Sequence, residues 1–355
     1  MIKTIKLKIT DVLGNISNKF TAHNISVTIL LIIPLVLLFL FSFLIGRYPV
    51  SPLDVITALY AKFLPANYSI SPSLDTIIFQ IRLPRIIAAM MVGAALSVAG
   101  ASFQGLFRNP LVAPDKLGVT AGAGFGAALA ILLSLGGLMI QISAFIGGLV
   151  AVTLTYLFSK TFKGTSMLTL VLCGIAVESF FAALIALSKY VADPFQQLPT
   201  IVFWLMGSLA AVTNQDLLLM GPPIIIGIII LLLIRWRINV LSMGEEEAQT
   251  MGVNIKSLQA IIIVSCTVIT ASAVGICGII GWIGLVIPHV ARMIVGPDHK
   301  VLLPASIILG AFFLLLIDDV SRTMISVEIP LGILTAIIGA PFFLYLLSKS
   351  KEVWA

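Results

Sequence analysis

Ten apolar runs, most of them 18 to 24 residues long and separated by short polar segments, constrain this chain more than any other feature. They fall at 26–46, 84–107, 117–135, 138–158, 167–188, 217–234, 258–277, 281–296, 302–321 and 330–347. A hydrocarbon core about 30 Å thick needs about 20 apolar residues per helical crossing, so the pattern specifies an all-α, polytopic membrane protein. A transmembrane barrel would instead show short segments of alternating polarity. Composition removes the soluble alternatives: of 355 residues, 59% are hydrophobic and 10% charged, where soluble domains carry about 45–50% and about 25%. A water-soluble enzyme is excluded.

Charge sets the orientation. The net charge is +6, but the 21 basic residues are scattered in ones and twos between apolar runs, which is no nucleic-acid face. With both termini cytoplasmic, fifteen of them lie inside and six outside, the bias expected of membrane proteins. The first run starts near Ser26, too late and too long for a cleaved signal peptide, and reads as an anchor. In residues 1–25, Ile2, Ile5, Ile9, Val12 and Ile16 are spaced as an interfacial apolar face. Cys173, Cys266 and Cys277 lie inside apolar runs and form no disulfide framework.

Two segments fit poorly as crossings. Thr200 to Val212 is apolar but short, which suits a re-entrant or interfacial helix, lining a pathway mouth or packing under a loop. The stretch from Leu258 to Val295 must turn near Gly275 to Gly284, leaving a short eighth span; broken helices at membrane depth are tolerated where they line a cavity or are buried in protein. Small residues four apart, Gly93 and Ser97, Ala101 and Gly105, then Gly118, Gly122 and Gly126, share helix faces and favour close helix packing over phosphate binding.

Hydrolytic motifs are absent: there is no GxxxxGK[ST] loop and no HExxH, so ATP-driven transport would need ATP and magnesium bound in another chain. Glu178 is a carboxylate near the middle of a span, a candidate proton carrier or a neutralised group in a helix interface. In the cytoplasmic stretch Arg235 to Ser257, Glu245, Glu246 and Glu247 suit the first turn of a short helix and Gly252 is placed to end it. A triple acidic run on the positive side is explained better by a docking knob for a soluble partner than by a solvated loop. On the outer side, Arg82, Arg85 and Arg322 oppose the inside bias; they are either snorkelling anchors or partners for acids on an extracytoplasmic protein.

These residues also carry a family resemblance. Arg82-Leu83-Pro84-Arg85, Gly93-Ala94-Ala95-Leu96, Arg108-Asn109-Pro110-Leu111, Gly244 to Val253, Gly281 to Arg292 with Gly296-Pro297-Asp298-His299, and Glu328-Ile329-Pro330-Leu331-Gly332 through Gly339-Ala340-Pro341-Phe342-Phe343 resemble the blocks of FecCD-type permeases, the membrane subunits of ABC importers for iron–siderophore, haem or vitamin B12. Trp282 stands where the family usually has Phe. The resemblance covers nearly the whole chain from about residue 26. It implies a ten-helix domain over 26–348, a short tail at 349–355, and a homodimer or paralogous heterodimer in the cytoplasmic membrane with the pathway at its interface.

The resemblance further implies two ATP-binding subunits docked on a coupling segment at 240–257, through Gly244, Glu245, Glu246, Glu247, Met251 and Gly252. It implies an extracytoplasmic solute-binding protein docked on Arg82, Arg85 and Arg322, and a cytoplasmic gate at Thr165 and Ser166. The expected cargo is a metal chelate, ferric siderophore first, otherwise haem, cobalamin or molybdate. No catalytic, cofactor or metal site is expected in this chain. The rival reading is a proton-coupled secondary transporter using Glu178.

Overall fold

In the computed structural model, residue 27 and residues 29–63, 71–161, 167–325 and 327–349 are described. They form a helical bundle, with α1 (Ile29–Ser42), α2 (Pro52–Phe63), α3 (Pro72–Asp75), α4 (Leu83–Phe107), α5 (Val119–Leu132), α6 (Gly137–Thr161), α7 (Met167–Val191), α8 (Gln197–Met206), α9 (Asn214–Met243), α10 (Glu245–Thr250), α11 (Ile255–Cys277), α12 (Ile283–Val295), α13 (His299–Thr323) and α14 (Leu331–Lys349) in chain order. Among the described residues, each of the ten apolar runs holds a helix. Six are long and apolar enough to cross a membrane, while α1, α5, α12 and α14 are shorter apolar helices. A π-helical stretch, Thr76–Arg82, joins α3 to α4 without a break. Pro84 removes one backbone donor at the start of α4.

Helices α4 and α11 are buried along most of their length, whereas α6, α7 and α9 bury only a minor part. The centre is set by small residues. Helices α4 and α13 run antiparallel in one register: Arg85 meets Asp318, Gly93 meets Gly310, and Gly105 meets His299. A methyl group on Gly93 would overlap the Gly310 carbonyl, and one on Gly122 of α5 would overlap the Gly147 carbonyl of α6. The glycine spacing is therefore a packing code, as van der Waals contact between backbones requires.

Local chemistry places the breaks. Thr213 and Asp216 form a capping box at the start of α9, Asn254 caps α11, and Asp298 caps α13; each satisfies orphan N–H groups at a helix start. Helix α11 ends at Cys277, and the unwound segment 278–282 carries Gly278 and Trp282 at positive φ, both near 72°. The 13-residue α12 that follows is the short apolar helix expected there from the sequence. Of the segment Thr200 to Val212 only the first seven residues are helical: they belong to α8, which starts at Gln197 and is stopped at Gly207, and residues 207–212 form a turn. The cysteines are free. Residues 1–25, Thr165, Ser166 and the tail beyond Lys349 lie outside the described residues.

Candidate functional sites at the two ends of the bundle

One end of the bundle is closed by an ionic network. Arg85 Nε donates to both Asp318 carboxylate oxygens at 3.0 and 2.9 Å, and its Nη1 donates to Glu328 Oε1 at 3.0 Å. Arg322, one turn beyond Asp318 on α13, pairs with Asp319 and donates from Nη2 to the Ser42 carbonyl at 3.1 Å. The Ser42 hydroxyl donates to Asp319 Oδ2 at 2.6 Å. Arg82, carried to this place by the π-helical turn, donates to the carbonyls of Phe43 and Tyr48. The network ties together the end of α1, the start of α4, the end of α13 and the loop before α14.

The sequence reading took Arg82, Arg85 and Arg322 as outward-facing charges. Here they are 4%, 7% and 6% exposed; Arg85 and Arg322 are matched by Asp318, Asp319 and Glu328 and Arg82 by two backbone carbonyls, so they present no free basic patch. The physical reason is desolvation: a buried guanidinium is tolerated only with partners for its charge and donors, and α13 supplies two of them. Glu328 is the half-exposed member, with a side chain 27% exposed. Its burial pushes its carboxyl up, but the Arg85 hydrogen bond and charge outweigh that and hold it below the usual range. Two adjacent acids near the end of an apolar span, Asp318 and Asp319, were the available sequence signal for this network.

The opposite end carries α10. Its first turn is Glu245, Glu246 and Glu247, all exposed, where acids complement the helix dipole. Gly252, at φ 79°, ends the helix: the Gly252 N–H donates to the Gln249 carbonyl at 2.9 Å and the Val253 N–H to Ala248 at 3.0 Å. This is the Schellman arrangement, with buried Val253 and Ala248 forming its apolar contact. Gly244 is at φ 152°, and a side chain there would collide with the Glu247 carboxylate. Met251 is exposed. The short acidic helix read from the sequence thus exists, pinned underneath, with Gln259 Nε2 donating to Glu245 Oε1 at 3.3 Å and all three acids exposed.

Between the two ends, a cavity of 470 Å³ opens beside α7 and the unwound segment before α12. Glu178 lines it together with Asp115, Lys116, Thr270 and Trp282. The sequence offered Glu178 only Ser179 as a neighbour, and that hydroxyl bonds back to the Ile175 carbonyl. What the sequence missed is the link between α4 and α5: Gly174 lets the Lys116 carbonyl pack directly on α7, one turn before Glu178. Lys116 Nζ lies 3.3 Å from Asp115 Oδ2. Non-helical backbone at membrane depth is tolerated where it lines a cavity or is buried in protein.

A helical bundle with an ionic cluster at one end, an acidic helix at the other and a largely apolar cavity bearing Glu178, Asp115 and Lys116 between them fits a membrane transport protein. The comparisons with known proteins make this specific. The FecCD transport family model matches residues 34–349, and the chain belongs to that family. It is 42% identical to the molybdate import system permease protein of Haemophilus influenzae, over 92% of this chain and 95% of that one. It is 44% identical to the probable iron chelatin transport system permease protein of Helicobacter pylori (79% and 85%) and 39% identical to the cobalamin import system permease protein of Halobacterium salinarum (86% and 81%). A solved chain of a metal-chelate type ABC transporter in an inward-facing conformation superposes with a TM-score of 0.82 at 40% identity, covering 91% of this chain and 99% of that one.

Proposed function

We propose that this chain is the membrane subunit of a binding-protein-dependent ABC importer and forms, with a second copy, the pathway for a metal chelate. The observation that carries the reading is α10. It is a rigidly capped helix with three exposed acids at the end of the bundle where the inside-positive bias places the cytoplasm, and it suits docking by an ATP-binding subunit. The reading has ten spans with both termini in the cytoplasm, supported by the helix in each apolar run and by the charge bias. The exposed apolar residues of α6 and α7, among them Phe158, Leu172 and Phe180, leave surface for lipid and for a second subunit.

ATP-driven closure of two soluble subunits would then reach the spans through Glu245 to Met251. The turn holding Thr165 and Ser166 would approach its mate at the cytoplasmic mouth. A solute-binding protein would dock at the other end, where its acids would have to exchange with Glu328, the most exposed acid on Arg85. Relatives carrying molybdate, iron chelate and cobalamin lie at 39% to 44% identity, so the cargo is proposed as a class, with ferric chelate first. The test is reconstitution with the neighbouring ATPase and binding protein, followed by uptake of ferric siderophore, haem, cobalamin and molybdate. ATP-dependent uptake of one of them is the expected result. ATP-independent uptake abolished by Glu178→Gln would instead establish the proton-coupled rival.

A further inference from the structure

A second cavity, of 260 Å³, lies at the α10 end, where α4, α9, α12 and α13 meet. Arg108, Arg292 and His299 line it, with Gln104 and Ser242, and among the described residues no aspartate or glutamate does. Arg292 Nη2 donates to Gln104 Oε1 at 2.9 Å, while its Nη1 is buried and without a hydrogen-bond partner among the described residues. His299 is 5% exposed; its Nδ1 faces Asn239 Oδ1 at 3.3 Å, and its Nε2 is buried without a partner among the described residues. Asp298, next in sequence, spends its Oδ1 on the Lys300 N–H as a helix cap.

The contrast with the other end is instructive. There, buried Arg85 and Arg322 each have carboxylates, and Arg82 has two carbonyls. Arg292 has one neutral amide. A guanidinium so placed, beside a second arginine, is an unfinished set of donors; His299, with its Nδ1–H facing Asn239 Oδ1, leaves Nε2 as an acceptor in the neutral ring and adds no donor. We propose that this cavity binds a phosphate-type oxyanion. Guanidinium groups match such oxygens in charge and geometry. The volume lies below the roughly 300–1,000 Å³ of drug-sized ligand sites, so it suits a single phosphate group rather than a nucleotide. Ser242 on the wall lies three residues before α10, so occupancy would brace the end of α9 from which α10 hangs.

The phosphate can come from an anionic lipid headgroup or from solution, and the test separates the two. The full chain is placed in phosphatidylcholine nanodiscs, with or without phosphatidylglycerol, and titrated with inorganic phosphate against a chloride control of equal ionic strength. Thermal unfolding and lipid retention by native mass spectrometry are read. Stabilisation by phosphate in pure phosphatidylcholine assigns a free anion; retention of phosphatidylglycerol that phosphate does not displace assigns a lipid. In either case Arg292→Gln and Arg108→Asn weaken the apparent affinity about tenfold. Arg108→Asn carries the test alone if the buried variant fails to fold, since Arg108 is exposed at φ 50°, where Asn is well tolerated. Absence of stabilisation and retention in the wild type, or equal effects in wild type and Arg108→Asn, overturns the proposal.

Discussion

Replacing Asp318 by Asn is the sharpest test of the ionic network. Asp318 is fully buried and accepts three Arg85 contacts at 2.9 to 3.0 Å, with Arg322 Nε a further 3.8 Å away. The amide keeps the shape but removes the charge, leaving Arg85 with Glu328 alone. Breaking a buried pair on one side costs about 3–5 kcal/mol. Glu328 still lies 2.9 Å from Arg85 Nη2, so the lower end applies, about 3 kcal/mol, or roughly a 150-fold shift in the folding equilibrium. Reversible unfolding in mixed detergent micelles, followed by tryptophan fluorescence, measures it. The double variant Asp318→Asn with Arg85→Gln should be more stable than Asp318→Asn alone, because it also removes the orphaned charge. A single variant within about 0.5 kcal/mol of wild type, a change typical of exposed surface sites, or a double variant no better than the single, refutes the argument.

Three further outcomes are expected. Glu246→Lys with Glu247→Lys should leave membrane insertion intact while weakening retention of the ATPase in pull-downs, and normal uptake by that variant would sink the coupling role of α10. Gly93→Val should push α4 off α13 by overlapping the Gly310 carbonyl, with overpacking worth about 1–3 kcal/mol and loss of the monodisperse peak in size-exclusion chromatography; an unchanged profile would contradict the close packing. Glu328 is held below its usual range by Arg85 against its own burial. Its contribution to stability is therefore present above the unfolded carboxylate value of about 4.3 and lost as pH falls through its lower folded value. Glu328→Gln should leave the change in unfolding midpoint between pH 7 and pH 5 as it is in the wild type and flatten the decline below pH 4.

The spans, the short α12, α8 and the ends of α10 were legible in the sequence, because each follows from local rules. Apolar length, Gly252 after the acidic turn and the interruption after Gly275 act within a few residues of themselves. The glycines four apart also announced close packing, though not that Gly93 would find Gly310. Which charge meets which was not legible. Arg85 and Asp318 lie 233 positions apart, as do Gln104 and Arg292 at 188, and their meeting depends on the register of antiparallel helices set by small residues between them.

For the same reason the sequence left the three arginines as anchors or docking groups, when α13 supplies counter-charges for Arg85 and Arg322 and backbone carbonyls hold Arg82. Glu178 stood alone until Gly174 admitted the Lys116 carbonyl. By itself the sequence determined that the chain lies in a membrane as helices and how its broken segments end, since hydrophobic length and capping are local quantities. The tertiary structure decided which of its few charges are neutralised and which are left unpartnered, because desolvation and Coulomb energies are fixed only by the groups that packing brings within a few ångströms.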